Sequence, residues 1–406
     1  RLTGRLRFGR KYGPIKPSPR FSVRRSFSDS DAVHSSDESA MRVFLSAGEP
    51  SGDRWGAALA LALRRSRTDI ECIGITGDTM REAGVRDIRP ATSLRVDGVM
   101  GFAQPFRVYR TLRDTLTAIT ASWKMERPDV VVAIDYPGFH MRVLARAKER
   151  GIRTVYYIPP QVWAWRPKRA RDVAAVSDIV VPAFDFERPY YTTWMPSGRV
   201  LWMGHPLADS MPKPSGRRDD GHRSIALLPG SRRSEVTRLA SRMAGAVQRT
   251  DLGEPVFALH AEEAVDWLPR DVRDLRRVVG DTPKTLETAA AAIVCAGSAT
   301  LEAACAGLPT IICYRTDALT YGIAKMLVKT PWVGLPNVLL NGAYYPELIQ
   351  RAATEASIAN ALRTVMDERL ETWERRAETL RDVCGEQGVA DRVATVVLET
   401  ANGARP

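Results

Sequence analysis

The sequence predicts an α/β protein in which two doubly wound parallel-sheet domains face a cleft and are followed by a C-terminal helical tail. The chain has 406 residues, of which 44% are hydrophobic, and this exceeds what one ordinary core accommodates. Short apolar runs alternate with longer helical patterns from Met41 onward, as in parallel βα units. The polar stretch P-K-P-S-G-R-R-D-D-G-H-R interrupts this alternation before it starts again, which is typical of an interdomain linker.

The first predicted domain covers residues 41–208. It opens with the apolar run M-R-V-F-L-S-A, the loop G-E-P-S-G-D and the helical pattern R-W-G-A-A-L-A-L-A-L-R-R. Further candidate strands are D-V-V-V-A-I-D-Y-P-G, T-V-Y-Y-I and D-I-V-V-P-A. Short apolar runs that alternate with amphipathic helices predict a parallel sheet.

The second predicted domain covers residues 222–345 and repeats this pattern. S-I-A-L-L-P is a candidate strand, G-S-R-R-S-E a loop, and a helix is predicted from about Val236 to Arg249. F-A-L-H, R-V-V, A-A-I-V-C-A and T-I-I-C-Y continue as strands. Residues 346–406 are predicted to form a helical tail that packs back on the N-terminal domain or on a partner subunit. Two doubly wound domains place a ligand cleft between the carboxyl ends of their strands.

The basic charge is concentrated at the N-terminus. Of the net charge of +12, residues 1–40 hold nine Lys or Arg against four Asp or Glu, and the first 28 residues contain no acid. This composition predicts a disordered extension and is typical of a mitochondrial transit peptide. A disordered basic tail, or an upstream stretch translated in error before Met41, explains the same composition.

Several classes of site are disfavoured by the sequence. The five cysteines show no C-x-x-C spacing, which indicates a reducing compartment without structural zinc. No run approaches the roughly 18 apolar residues that a membrane span needs. G-E-P-S-G-D has neither the G-x-G-x-x-G pattern nor the G-K-S/T ending of nucleotide loops. No motif for nucleic acid is found, and no metal or cofactor is expected.

Two loops of the second domain have the composition of anion sites. Gly230, Ser231 and Arg232 lie between a strand and a helix, where backbone N–H groups and a guanidinium suit a diphosphate. An ordinary glycine turn with exposed arginines explains the same residues. The second loop precedes an alanine-rich helix and contains Gly297, Ser298, Ala299 and Thr300, with Glu302 in the first turn.

The Glu302 carboxylate suits ribose hydroxyls, although an acid near a helix start also serves the helix dipole. Together the two loops fit a nucleoside diphosphate. The remaining motifs of the chain add a more specific indication.

Eight strings occur in the order found in lipid-A-disaccharide synthases, and the chain resembles that family from about Met41 to about Ala394. They are S-A-G-E-P-S-G-D, A-I-D-Y-P-G-F, Q-V-W-A-W-R-P-K-R, M-G-H-P-L-A-D, L-L-P-G-S-R-R-S-E, G-S-A-T-L-E-A, L-P-N-V-L and P-E-L-I-Q. The resemblance implies an inverting glycosyltransferase of GT-B architecture. Such an enzyme transfers 2,3-diacylglucosamine from UDP to 2,3-diacylglucosamine 1-phosphate, without a metal.

The resemblance also implies roles for individual residues. Asp135 is the expected general base, although a carboxylate at this position can also cap the following turn, and Glu49 is the second candidate. Asn337 and Gln350 match motifs near the donor cleft. His205 is expected either to touch the substrate or to brace the interdomain turn.

Contacts to acceptor or lipid are expected from Ser51, Trp163, Trp165 and Arg166, since tryptophans beside basic residues suit acyl chains and phosphate. Buried tryptophans on a solvated basic helix explain the same segment. Residues 96–112 mix apolar, aromatic and basic side chains, which suits docking on a membrane surface. An amphipathic core helix fits them as well. A homodimer with exchanged C-terminal segments is compatible with the tail.

Two other functions fit the motifs. Departures from the family pattern, such as I-T-G-D-T-M and D-Y-P-G-F-H, lie in the first domain. Another UDP-sugar enzyme of this architecture, with a different acceptor or with epimerase activity, is therefore one alternative. A non-catalytic UDP-sugar-binding scaffold is the other. The resemblance also offers the bacterial cytoplasm, at the inner membrane, as the alternative to a mitochondrial location.

Overall fold

The computed structural model describes residues 40–88, 105–212, 223–317, 321–322 and 330–403, apart from the side chains of 105–109 and Trp165. Three predictions fall largely or wholly outside this part of the chain. They concern the basic extension, the polar stretch between the domains, and the amphipathic segment at 96–112.

The first half of the described chain forms a six-stranded parallel sheet with the order β3-β2-β1-β4-β5-β6. Every residue of the fourth strand is buried, because helices cover both faces of a doubly wound sheet. The strands are β1 (Met41–Ala47), β2 (Ile70–Ile75), β3 (Arg86–Asp87), β4 (Val130–Ile134), β5 (Arg153–Tyr157) and β6 (Ile179–Val181).

Seven α-helices accompany this sheet in the described residues. They are α1 (Pro50–Ser66), α2 (Asp78–Glu82), α3 (Pro105–Ser122), α4 (Pro137–Lys148), α5 (Val162–Trp165), α6 (Arg169–Val176) and α7 (Arg188–Thr192). Both α1 and α4 begin with proline directly after a strand-end turn. Proline favours the first helical position, because its fixed φ suits the helix and its missing N–H would have no helical partner there.

The second half forms another six-stranded parallel sheet, with the order β12-β11-β10-β7-β8-β9. Its strands are β7 (Ser224–Leu228), β8 (Glu254–Leu259), β9 (Arg277–Val279), β10 (Ala291–Cys295), β11 (Thr310–Tyr314) and β12 (Glu347–Ile349). The helices described with it are α8 (Arg233–Gln248), α9 (Thr282–Thr288), α10 (Ser298–Cys305) and α11 (Leu335–Leu339).

The two sheets have the same topology. In each, the first and fourth strands are neighbours, and the strand order reverses between them. The loops that follow these two strands enclose the crevice where doubly wound sheets bind ligands. The predicted fold class, two Rossmann-like domains of GT-B type with a helical C-terminus, is confirmed.

The C-terminal helices are α12 (Glu355–Asp367), α13 (Leu370–Cys384) and α14 (Val389–Ala401). Residues 347–349, predicted as part of the helical tail, instead form an edge strand, because they pair with β11. Helix α12 packs on α8, α13 on α10, and α14 on α1 of the first half. The Asp209 carboxylate accepts hydrogen bonds from the first amides of α14, at 2.6–2.9 Å, and so anchors this last helix.

Candidate active site

Two ion pairs cross the cleft between the halves. Arg232 Nη2 lies 2.8 Å from Glu49 Oε1. Arg54 Nη1 lies 3.1 Å from Glu302 Oε1. Glu49 follows β1 and Arg232 follows β7, so the loops after the first strand of each sheet meet face to face. The structure therefore brings together Glu49, Arg232 and Glu302, which the sequence predicts for the site.

The loop from Gly230 to Arg232 is shaped by Glu235, which the sequence reasoning did not single out. The Glu235 Oε2 atom accepts the N–H groups of Ser231 and Arg232 at 3.2 and 3.3 Å. Its Oε1 atom lies 3.0 Å from Arg232 Nη1. Gly230 has φ +116°, and a Cβ there would lie 2.3 Å from the Glu235 carboxylate. An acid in the first turn of a helix that follows S-R-R is the signal that would have identified Glu235.

Asp135 follows β4 in a left-handed conformation. Its φ is +52°, and that of the next residue, Tyr136, is +44°. Its N–H donates to the Tyr157 carbonyl at 3.0 Å, and its carbonyl accepts from the Tyr156 hydroxyl at 3.2 Å. Two successive non-glycine residues in this region store strain, which is typical of functional sites.

Glycine is required where β1 ends, opposite this strained turn. A Cβ at Gly48 would lie 2.4 Å from the Tyr136 ring. The Tyr136 ring therefore packs directly over the backbone that leads to Glu49. This close approach holds the turn after β4 against the turn after β1.

The electrostatic surroundings of Asp135 are unusual for a carboxylate. Burial and the negative charge of Glu49 raise its pKa to about 7, against smaller lowering effects from the Tyr136 backbone N–H and from Arg232. A carboxyl with a pKa near the working pH is suited to proton transfer. Asp135, Glu49 and Arg232 therefore form one electrostatic cluster.

Arg232 stays cationic in this cluster. Burial by itself would lower its pKa, but Glu49 and Glu235 together raise the pKa above the usual arginine range. About a fifth of its side chain is exposed. A permanently charged, planar guanidinium at the edge of a cleft is suited to binding phosphate oxygens.

The turn after β10 leaves backbone groups accessible at the start of helix α10. Helix α10 follows Gly297 without a hydrogen bond from a capping side chain. The Thr300 hydroxyl instead donates back to the Gly297 carbonyl at 2.7 Å. Gly297 and Ala299 are at least partly exposed, and a Cβ at Gly297 would meet no atom within 4 Å. This geometry suits an anion at the helix N-terminus.

The side chains of Asn337 and Gln350 are engaged within the protein. Asn337 is fully buried, and its amide bonds Tyr344, Tyr345 and Glu347 at 2.8–2.9 Å. The Gln350 amide pairs with both backbone groups of Thr316 at 2.9 and 3.0 Å. These contacts stabilise the loops around β11 and β12. A direct role in donor binding stays a prediction that they do not support.

His205 lies in an aromatic cluster. Its ring stacks on Phe184 with centroids 5.0 Å apart and meets Trp55 of α1 edge-on at 5.8 Å. Its backbone N–H donates to the Cys384 carbonyl at 2.7 Å. Burial lowers the pKa of His205 to about 3. Of the two expected roles, these contacts are those of a brace between the first half and the C-terminal helices.

Trp163 is held by a buried acid. Its Nε1–H donates to Glu187 Oε1 at 2.7 Å. Burial raises the pKa of Glu187 to about 7, although the bonds from Trp163 and from the Phe184 N–H partly offset this effect. The Trp163 ring also packs edge-on against Phe186. The structure therefore places Trp163 in a partly buried aromatic layer.

Arg166 lies in a basic groove of about 960 Å³. Trp194 is 47% exposed there, and the Arg171 guanidinium lies 6.0 Å from its ring centroid. The groove is lined by Arg166, Pro167, Lys168, Arg169, Arg171, Asp172 and Trp194.

Ser51, which the sequence also predicts as an acceptor contact, lies in the first turn of α1 and is half-buried.

Similarity to solved structures concerns the fold. CalG4, the calicheamicin glycosyltransferase, superposes with a TM-score of 0.56 at 16% identity, covering 90% of this chain and 99% of that chain. The UDP-GlcNAc 2-epimerase of Neisseria meningitidis gives a TM-score of 0.51 at 11% identity, covering 89% and 100%. A glycosyltransferase and an epimerase thus share this architecture, so the fold alone does not choose between them.

Sequence relatives identify the family. The lipid-A-disaccharide synthase of Azotobacter vinelandii is 35% identical over 397 residues, which span 90% of this chain and 99% of that protein. That of Syntrophus aciditrophicus is 34% identical over 375 residues, spanning 88% and 97%. Residues 43–390 match the family model described as lipid-A-disaccharide synthetase. The chain therefore belongs to the lipid-A-disaccharide synthetase family of glycosyltransferases.

Proposed function

We propose that this chain condenses UDP-2,3-diacylglucosamine with 2,3-diacylglucosamine 1-phosphate and releases UDP, forming the β-1,6-linked disaccharide 1-phosphate of lipid A biosynthesis. Membership of the family supports this reaction. The observation that carries the proposal is the cluster in which Asp135 lies beside the Glu49–Arg232 ion pair. A proton acceptor and a phosphate-binding cation are then available in the same cleft.

In the proposed reaction Asp135 acts as the general base. The Asp135 carboxylate takes the proton of the acceptor 6-hydroxyl as that oxygen bonds to the anomeric carbon of the donor. The bond from the anomeric carbon to the β-phosphate oxygen breaks at the same time, and UDP leaves with its electron pair. Attack opposite the leaving group inverts the configuration. Glu49 is the alternative base, or it orients the acceptor.

The second half is proposed to hold UDP. Arg232, the Gly230–Ser231 amides and the start of α10 would stabilise the negative charge that develops on the diphosphate. Glu302 would accept hydrogen bonds from the ribose. Both Arg232 and Glu302 are ion-paired across the cleft, so UDP would compete with Glu49 and Arg54 for these partners.

The basic groove is proposed to meet the acylated acceptor and a membrane surface. Its four cations face one acid, and Trp194 supplies an exposed apolar ring. Cations beside a partly exposed tryptophan suit anionic headgroups at a lipid interface. Arg166, which lines the groove, is a proposed contact, and Trp163, Trp165 and Ser51 are further proposed contacts of the acceptor or lipid. Among the described residues, no helix is long and apolar enough to cross a bilayer.

The decisive experiment is UDP release by residues 41–406, measured with UDP-2,3-diacylglucosamine in the presence and absence of the 1-phosphate acceptor. We expect release that depends strictly on the acceptor and a disaccharide product visible by mass spectrometry. Release without acceptor would instead indicate hydrolytic or epimerase-like chemistry. Binding of UDP with no release in either condition would indicate another acceptor or a scaffold.

The cellular location and assembly remain predictions. The relatives described above are bacterial proteins and do not support the mitochondrial location expected from the N-terminal composition. The bacterial alternative is compatible with them. The homodimer with exchanged C-terminal segments, which the family resemblance allows, is compatible with the packing of α14 on α1, because a second chain could supply this contact by exchange. Sedimentation of the full chain would distinguish monomer from dimer.

A further inference from the structure

A buried serine and histidine lie behind the strained turn at Asp135. The His140 Nδ1 atom lies 2.7 Å from the Asp135 carbonyl oxygen, and its Nε2 atom lies 2.8 Å from Ser46 Oγ. Ser46 belongs to β1 and His140 to α4. Neither residue has any solvent exposure. The two hydrogen bonds therefore connect β1, α4 and the turn after β4 in one chain.

The direction of these hydrogen bonds follows from chemistry. A carbonyl oxygen only accepts, so Nδ1 carries the hydrogen and donates it to Asp135. In the neutral ring Nε2 is then the acceptor, and the Ser46 hydroxyl donates to it. Burial lowers the pKa of His140 to about 4, so the ring is neutral at physiological pH. The Asp135 carbonyl thus fixes the tautomer, and the Ser46 hydroxyl satisfies the remaining ring nitrogen.

We propose that Ser46 and His140 are positioning residues that keep Asp135 in its left-handed conformation, with its carboxyl directed for proton transfer. This inference rests on the proposed function, in which Asp135 is the base. The Tyr156 hydroxyl reaches the same carbonyl from β5 at 3.2 Å. Two donors on one carbonyl, from a helix and from a strand, fix the orientation of the peptide.

A neutral donor is required at this position. The charged or titratable groups around the turn are Glu49 after β1, Tyr136 in the turn itself, Tyr156 on β5, Arg169 on α6 and Arg232 after β7. Burial and Glu49 keep the pKa of Asp135 near 7. A cation in place of His140 would lower that pKa and make Asp135 a weaker base. A neutral imidazole holds the backbone without this effect.

Steady-state kinetics of three variants test the proposal. We expect His140→Ala to lower kcat roughly 10- to 100-fold, the scale of a misplaced catalytic group, with the KM for the UDP donor within about twofold. His140→Asn keeps an amide donor and should recover most of this loss. Ser46→Ala leaves the buried Nε2 atom without its donor and should have a smaller effect in the same direction. Thr310→Val removes a buried hydroxyl from β11 that bonds Leu308 and serves as the matched control.

A second measurement separates this proposal from the proposed function. The carboxyl carbon of Asp135 is titrated by NMR in the ligand-free protein and assigned by its loss in Asp135→Asn. We expect a midpoint near the pKa of about 7 in the wild type, a shift of that midpoint in His140→Ala, and its return in His140→Asn. A shifted titration without acceptor-dependent turnover would refute the reaction but support the positioning role.

Two results would overturn the inference. One is an unchanged Asp135 titration in His140→Ala. The other is a loss of kcat that only parallels the loss of melting temperature, as measured against Thr310→Val, with no recovery in His140→Asn.

Discussion

The same topological positions in the two sheets carry opposite chemistry. The loop after the first strand holds Glu49 in the first sheet and Arg232 in the second. The loop after the fourth strand holds Asp135 in the first sheet and Gly297 in the second. The first sheet thus presents acids and the second presents a cation and open backbone amides. The fold determines where groups meet, and in the proposed reaction the residues at these four loop positions determine which half takes a proton and which half binds an anion.

The backbone differs between the two halves in the same way. Asp135 and Tyr136 are non-glycine residues in the left-handed region, held by hydrogen bonds from β5 and α4. Gly297 is nearly extended and open to the cleft. A catalytic carboxyl needs one fixed direction, and the surrounding contacts offset the strain. A diphosphate site needs space and N–H groups, which a small residue provides without strain.

The largest expected loss of activity follows from removing the acid of the first half. We expect Asp135→Asn to lower acceptor-dependent turnover at least roughly 100-fold, because general-base catalysis contributes on this scale, while UDP binding measured by calorimetry persists. Asp178→Asn is the matched control, since Asp178 lies in the same half but bonds Lys148 and Thr154. Equal activity of Asp135→Asn and wild type would assign the base elsewhere, with Glu49 next.

Removal of the cation from the second half should affect binding first. We expect Arg232→Ala to weaken UDP affinity roughly 10- to 100-fold, as for the loss of a charge-assisted hydrogen bond. Without the Arg232 charge the pKa of Asp135 should rise, so the rise of kcat/KM with pH should move to higher pH. Arg233→Ala, at the exposed neighbouring position, is the control. If both variants bind UDP equally well, Arg232 does not contact the diphosphate.

Alanine substitutions at two glycines of the second half should have different effects on stability and on UDP binding. Gly230→Ala should lower the free energy of unfolding by about 1–3 kcal/mol, because alanine is strained at φ +116° and meets Glu235. Gly297→Ala should change that free energy by less than about 0.5 kcal/mol, since its Cβ would meet no atom within 4 Å.

We expect Gly297→Ala to lower UDP affinity nevertheless, by roughly tenfold, because the methyl group would occupy the space proposed for the diphosphate. Urea denaturation and calorimetry on the same samples measure both quantities. Unchanged UDP affinity in Gly297→Ala would place the diphosphate away from this turn.

The smallest expected effect is a shift in the pH dependence of kcat/KM, which tests the electrostatic difference between the two halves. Asp135 must be ionised to act as a base, so kcat/KM should rise with pH through about 7. Glu49 raises the pKa of Asp135, so Glu49→Gln should move this rise to lower pH, by about one unit or less. Glu302→Gln removes the other cross-cleft acid and should leave the midpoint unchanged. An unshifted profile in Glu49→Gln would mean that Asp135 does not control the acid limb.

The sequence was most informative where a function depends on a short local segment. The fold class predicted from the alternation of strands and helices is confirmed, and so are the family and the enzyme class predicted from eight collinear strings. A glycine, a serine and a charged residue between a strand and a helix form a recognisable local pattern, as at Gly230–Arg232. Glu235 belongs to the same segment and could have been found from its place in the first helical turn.

Contacts between distant segments were not predictable in this way. The Arg54–Glu302 pair joins residues 248 positions apart, and no local pattern of either segment indicates the other. Asn337 stands in a family string, but the structure shows its amide bonded to the 344–347 segment. Asp209 likewise belongs to a matched string and anchors α14. A motif shows that a residue matters, whereas its contacts show what it does.

By itself, the sequence determined the alternation of strands and helices, the family and the enzyme class, because apolar periodicity and short motifs are local properties of the chain. Only the tertiary structure decided that Glu49 meets Arg232, that burial raises the pKa of Asp135, and that Ser46 and His140 lie behind it. Burial and electrostatic coupling depend on distances between segments that are far apart in sequence. Those distances exist only once both sheets have formed and their facing loops have met.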